Sequence, residues 1–159
     1  MLFRSIAQAI GLARTRVRIC SPVVSSGPIL GALAGAVAAG KVDVAGCVDA
    51  VQLQGVALQW KDAASAWKLP LLGRLVGGPL SAKPSSPFAR GHLHDSMHAK
   101  IVVADDTVFA GSFNLSRSGE SNAENVLEFD DADHADTLAA FVDTVRARYD
   151  ELKLTAEVS

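Results

Sequence analysis

Residues 98–114 read HAKIVVADDTVFAGSFN: two β-branched, apolar runs on either side of the tight polar break Asp105-Asp106-Thr107. Such runs bounded by a turn specify a hairpin, with strands at 97–104 and 108–112. Alternate residues of a strand share a face and lie ~6.6 Å apart, so His98 and Lys100 project together while Ile101 and Val103 pack on the other side. An imidazole beside an ammonium on a rigid strand suits an anion. The lysine attracts the charge, and the histidine can attack or transfer a proton. Taken alone, the pair favours a plainer reading, a strand whose wet face displays two polar residues.

Working outward, Phe3, Ile6, Ile10 and Ala13 fall on one face of a helix over residues 2–14. VRICSPVV (17–24) is a strand, and Ser26-Gly27-Pro28 starts a helix over 28–39 that turns Leu30, Leu33, Ala34 and Val37 inward and stops at Gly40. KVDVAGCVD (41–49) is a second strand, so helix, strand, helix, strand describes an α/β unit with a parallel pair. Residues 50–68 are predicted helical, and 70–91 form a long irregular loop with Gly77-Gly78-Pro79 and a Lys83-Pro84-Ser85-Ser86-Pro87 cluster. NVLEF (125–129) is a short strand. The acidic stretch 130–133 suits the start of a last helix over 134–152, marked by Leu138, Phe141, Val142, Val145, Tyr149 and Leu152. The expected architecture is α/β, a central mixed β-sheet flanked by helices on both faces, as one domain over residues 1–159 without an internal repeat.

Composition narrows the classes. With 49% hydrophobic residues, the 159-residue chain can bury a proper core and is not a disordered sequence. A net charge of −2 gives no global electrostatic reason to bind nucleic acid, although basic groups confined to one cleft would still permit it. Cys20 and Cys47 lack metal-type spacing and are expected to be buried, reduced thiols. The N-terminus shows no signal peptide, and a cytoplasmic location is expected. Residues 22–40 carry no charge, and Gly27, Gly31 and Gly35 repeat at helix-dimer spacing. The uninterrupted helix there would be only ~18 Å long against a hydrocarbon core of ~30 Å, so no transmembrane segment is expected.

The residues after the first strand sharpen the reading. Asp105 follows Lys100 with four residues between, Gly111-Ser112-Phe113-Asn114 closes the returning strand, and Asn122-Ala123-Glu124-Asn125 follows. This pattern resembles the phospholipase D superfamily, whose signature is His-x-Lys-x4-Asp, then Gly-Ser-x-Asn, then a glutamate about ten residues on. Positions 98, 100, 105, 111, 112, 114 and 124 match. The resemblance implies a metal-independent phosphodiesterase that needs no cofactor. His98 would be the nucleophile forming a phosphohistidine, and Lys100 and Asn114 would hold the non-bridging phosphate oxygens, with Ser112 as a further donor. Glu124 would accept a hydrogen bond from the second ring nitrogen of His98. Asp105 would complete the motif or brace the turn. Only five residues separate Asp105 from Gly111 where the family commonly has six, which leaves Asp106 as the alternative motif aspartate.

The chemistry needs one group to attack phosphorus and another to protonate the leaving oxygen, and the family supplies them from two motif copies. This chain has one. The resemblance therefore implies a homodimer, as in small single-motif bacterial members resembling an endonuclease, or a second phospholipase D-like half. The substrate is a phosphodiester, either a phospholipid or a nucleic acid. Arg74, Lys83 and Arg90 are candidate backbone contacts for the latter. Leu69, Leu71, Leu72, Leu75 and Val76 form a rim for acyl chains or, the better reading, pack inward. His92, His94, Asp95 and His98 have spacing that could ligate zinc, but Lys100 would set its cation on the same face, so no metal is expected. The competing function class is a catalytically silent half-domain serving as an interface or a nucleic-acid-binding module.

Overall fold

The computed structural model describes residues 2–86, 89–116 and 124–155. Its elements are α1 (Leu2–Leu12), β1 (Arg16–Ser21), α2 (Gly27–Ala39), β2 (Asp43–Asp49), α3 (Ala50–Lys61), α4 (Leu69–Gly73), β3 (Leu80–Lys83), β4 (Ile101–Ala104), β5 (Thr107–Gly111), β6 (Val126–Asp130) and α5 (Ala132–Arg146). The strands form one sheet in the order β3-β2-β1-β4-β5-β6. β1, β2 and β3 run parallel, β4 lies antiparallel to β1, and β4, β5 and β6 form an antiparallel meander. The expected mixed α/β sheet with helices on both faces is the fold observed.

Strand alternation decides which face each residue serves. Val17 and Ile19 of β1, Val48 of β2, Val102 of β4 and Phe109 of β5 join the main core with Ile6, Ile10, Leu30, Leu33, Leu53 and Leu72 from the first four helices. Residues of opposite parity, among them Cys20, Cys47, Val103 and Val108, meet Ala135, Ala139 and Val142 of α5 on the other face. Each fully buried Leu or Ile contributes roughly 1.5–3 kcal/mol. The apolar helix α2 packs on α1, and among the described residues no helix is long and apolar enough to cross a membrane. Leu72 and Leu75 are fully buried, and Leu69, Leu71 and Val76 pack against the same core, so this leucine run faces inward. Both cysteines are free and buried, and burial pushes the Cys20 thiol up to about 12.

Several elements differ from the sequence expectation for identifiable reasons. β4 starts at Ile101 rather than residue 97. Its register pairs Ile101 with Cys20, and two residues on, just past the end of β1, lies Pro22, which has no N–H for a ladder. The helix expected over 50–68 stops at Lys61. Pro70 then favours a fresh helix start, and α4 follows a 3-10 turn at Ala66–Lys68. β3 lies within the stretch expected to be irregular. Four residues between Pro79 and Pro84 carry too little pattern to signal a strand, and pairing with β2 overrides it. α5 ends at Arg146, before the end of its apolar spacing. Leu152 is buried instead by extended chain that bonds to β3, through Leu152 N to Leu80 O and Ala82 N to Asp150 O. That chain covers an edge strand.

Candidate active site

The parallel strands β1 and β2 and the hairpin strand β5 finish at one end of the sheet, where β4 and β6 begin. Crevices at the carboxyl ends of parallel strands are common ligand positions. Five of the candidate residues converge there: His98 and Lys100 on the approach to β4, Ser112 and Asn114 just after β5, and Glu124 just before β6. The His98 side chain is exposed, and among the described residues it makes no hydrogen bond. Lys100 Nζ donates to the His98 carbonyl at 2.8 Å, so the ammonium lies directly behind the imidazole-bearing backbone. Burial lowers the Lys100 pKa, and the nearby Glu124 carboxylate works against that shift.

The Gly-Ser pair of the motif has a mechanical reason. A Cβ at Gly111 would meet Asn125 O at 2.2 Å, so only glycine lets β5 and β6 close here. That closure lets Ser112 N donate to Asn125 O at 3.0 Å and Asn125 N donate to Ser112 Oγ at 3.0 Å. Ser112 Oγ in turn donates to Glu124 Oε2. Glu124 is therefore held by Ser112 and sits close enough to act on Lys100. The hydrogen bond expected between Glu124 and His98 is not formed in this chain. Asn114 Oδ1 is buried, and among the described residues it has no hydrogen-bond partner. Asn122 and Ala123, read with the motif, lie outside the described residues, as does Pro87 of the upstream loop.

Asp105 does not join this cluster. The whole of β4 separates it from Lys100, and it sits at the opposite end of the sheet beside the start of β1. Its carboxylate accepts from the amides of Arg14, Thr15 and Arg16 at 2.8–3.0 Å and from Thr15 Oγ1 at 2.6 Å. It also carries a φ of 52°, a left-handed conformation that Asp tolerates better than most residues. Of the two roles open in the sequence, bracing a turn is the one its contacts serve, and the turn is the junction of α1 with β1. Asp106 is exposed.

Partial burial raises the Asp105 pKa, but the Thr15, Arg16 and Arg14 hydrogen bonds outweigh it and hold the group at about 2 against its ordinary 3.8. A depressed folded-state pKa adds stability that is complete above the unfolded value and is lost as pH falls through the folded one. Asp105→Ala should cost about 1–2 kcal/mol near neutral pH, as loss of a cap does. Acid titration followed by circular dichroism should show the wild-type advantage shrinking between pH 3.8 and about 2.

A residue not singled out in the sequence organises the site from beneath. Asp49, fully buried at the end of β2, caps α3 by accepting from the amides of Val51 and Gln52 at 3.1 and 3.0 Å. The same carboxylate accepts from Ser85 Oγ at 2.9 Å and from the amide of Met97, next to His98, at 3.1 Å. One side chain thus joins β2, α3, the upstream loop and the approach to β4. An aspartate closing an apolar strand just before a helix was the available signal. Asp49→Ala leaves buried donors unpaired and should cost about 3 kcal/mol or more, measurable as a lower denaturation midpoint in urea.

Lys83 is likewise committed. It is buried, 2.7 Å from Asp95 and 5.5 Å above the Tyr149 ring, so it braces the loop and is not presented to a nucleic-acid backbone. Arg74 and Arg90 are exposed, as are His92 and His94. Among the described residues no group of three His, Cys, Asp or Glu side chains is placed to share a metal ion.

A family model described as "Cardiolipin synthase, PLD-like domain" matches residues 6–146. Among solved structures the chain is similar to Nuc, a phospholipase D family member from Salmonella typhimurium, at 22% identity and a TM-score of 0.66, covering 94% of this chain and 89% of that one. It is similar to NucT from Helicobacter pylori at 21% identity and a TM-score of 0.67, with the same coverage of 94% and 89%. Phosphatidylserine synthase from Haemophilus influenzae Rd KW20 matches at 15% identity and a TM-score of 0.59, covering 91% of this chain and 34% of that one. At these identities the likeness is one of fold. Compared by sequence with the curated proteins, the chain has no match.

Proposed function

The chain belongs to the phospholipase D-like family, and from that premise we propose that it is a phosphodiesterase working through a covalent phosphohistidine on His98. The observation that carries the reading is the convergence of His98, Lys100, Ser112, Asn114 and Glu124 at one end of the sheet. The exposed imidazole of His98 attacks phosphorus and forms a P–N bond while the P–O bond to the leaving alcohol breaks. Lys100 neutralises the charge gathering on the non-bridging oxygens, and the Asn114 amide, whose Oδ1 has no partner among the described residues, turns to donate to them. Glu124, held by Ser112, rotates onto His98 when the substrate arrives and orients its ring. Asp105 acts only by bracing the far end of the sheet.

The leaving alkoxide needs a proton, and the phosphohistidine then needs a water deprotonated from the opposite side. One chain has one histidine in this position. A homodimer with its twofold axis through the cleft supplies the partner's His98 for both proton transfers, and the cycle returns each ring to its starting protonation. Because Lys100 and Asn114 do the charge work, hydrolysis of bis(p-nitrophenyl) phosphate should persist in excess chelator. Complete loss of turnover in EDTA, restored by a divalent cation, would overturn the metal-independent reading.

A further inference from the structure

β1 lies in the middle of the sheet, between β2 and β4, and its last residue, Ser21, is fully buried. A hydroxyl buried at a strand end has to find its partners within the protein. Ser21 Oγ donates to Val23 O at 2.7 Å and accepts from Leu115 N at 3.4 Å. The first bond folds the chain around Pro22, and the second reaches the residue directly after Asn114. The Leu115 carbonyl is held as well, accepting from Ser25 N at 2.8 Å and from Ser26 N at 3.1 Å, and Leu115 forms an isolated parallel bridge with Val24. Both backbone groups of Leu115 are thus committed to the stretch that joins β1 to α2.

The residue before Asn114 is anchored too. Phe113 is buried, and its ring meets that of Phe3 in α1 with centroids 5.1 Å apart. Leu115 is buried in the same core. Asn114 therefore stands between two fixed neighbours, one held by packing and the other by a lock whose centre is Ser21. A donor that stabilises transition-state charge has to be in place before the charge develops. Resting on the phosphodiesterase reading, we propose that Ser21 is a positioning residue, which acts through Leu115 to hold the Asn114 amide where charge gathers on the non-bridging oxygens.

Ser21→Ala removes the lock at its centre. With bis(p-nitrophenyl) phosphate, kcat should fall about tenfold while KM stays within about twofold, because a misplaced donor costs most in the transition state. Since the serine acts through Asn114, the same change in an Asn114→Ala chain should cost less than about twofold. Ser21→Thr keeps the hydroxyl and should bring kcat back to within about threefold of wild type. Val103→Ala, a cavity in the core beneath α5, is the control for lost stability: it should lower the urea midpoint and leave kcat within about twofold. Should Ser21→Ala misfold, Ser21→Cys, a poorer hydrogen-bonding group of similar shape, carries the same expectation with a loss of about threefold. An equal loss in both backgrounds, or an unchanged kcat, would overturn the positioning role.

Inorganic vanadate, which becomes five-coordinate when bound by a nucleophile, reads the pocket without turnover. Its calorimetric affinity should drop about tenfold in Ser21→Ala, and by less than about twofold where Asn114→Ala is already present. If no diester is hydrolysed, that pattern still supports the positioning role, and only the phosphodiesterase reading fails. Equal weakening in both backgrounds would overturn the positioning role while wild-type turnover upheld the reading. A wild-type protein that neither hydrolyses a diester nor binds vanadate would overturn both.

Discussion

His98→Ala is expected to reduce phosphodiester turnover by on the order of 10^4-fold or more, since on the proposed mechanism it removes the nucleophile and, in the proposed dimer, the proton donor as well. The same change should leave the fold alone. The His98 side chain is exposed and makes no hydrogen bond among the described residues, so its loss should alter stability by no more than about 0.5 kcal/mol. Separating the two effects is what makes the variant informative. A large activity loss at an unchanged melting temperature places His98 in the chemistry, whereas a parallel loss of both would make it a packing residue. His98→Asn should behave like alanine, because an amide can hydrogen-bond but cannot carry a phosphoryl group through a turnover. Near-wild-type rates in either variant would remove His98 from the mechanism.

The second large effect concerns assembly. If each phosphorus is bracketed by two His98 rings, a wild-type chain paired with a His98→Ala chain has half a site. In a freely exchanging mixture with about nine variant chains per wild-type chain, only about one wild-type chain in ten finds a wild-type partner, so activity per wild-type chain should fall about tenfold. Dilution below the dimer dissociation constant should lower specific activity for the same reason. The proposed pairing would also let a slightly acidic chain handle an anion, because two Lys100 and two Asn114 would gather around one phosphate. Specific activity that stays constant in the mixture and down to the lowest dilution would mean that each chain acts alone.

Much of this was legible in the chain before folding was considered. The hairpin at 98–114 and the β-α-β start placed β1, β2, β4 and β5 and both helical faces, because long alternating runs are strong local signals. The motif spacing likewise brought His98, Lys100, Ser112, Asn114 and Glu124 to one end of the sheet. What stayed hidden depends on contacts distant in sequence. β3 exists because β2 pairs with it, and the end of α5 is set by Asp150 and Leu152 bonding to that same strand. Asp49 looked like the last residue of an ordinary strand, yet its carboxylate reaches Met97, 48 residues away. Asp105 lies in the motif by spacing but acts on Arg14, Thr15 and Arg16 across a sheet register that no local pattern reveals.

On the proposed mechanism the phosphoryl group passes through His98 before it reaches water. Two in-line displacements each invert phosphorus, so the overall outcome should be retention. Hydrolysis of a diester of single phosphorus configuration, labelled as a phosphorothioate, in 18O-water with the wild-type protein reads this directly, whether or not the intermediate accumulates. A phosphohistidine at His98 predicts net retention. Net inversion would mean that water attacks the diester in one step, and would contradict a phosphohistidine at His98.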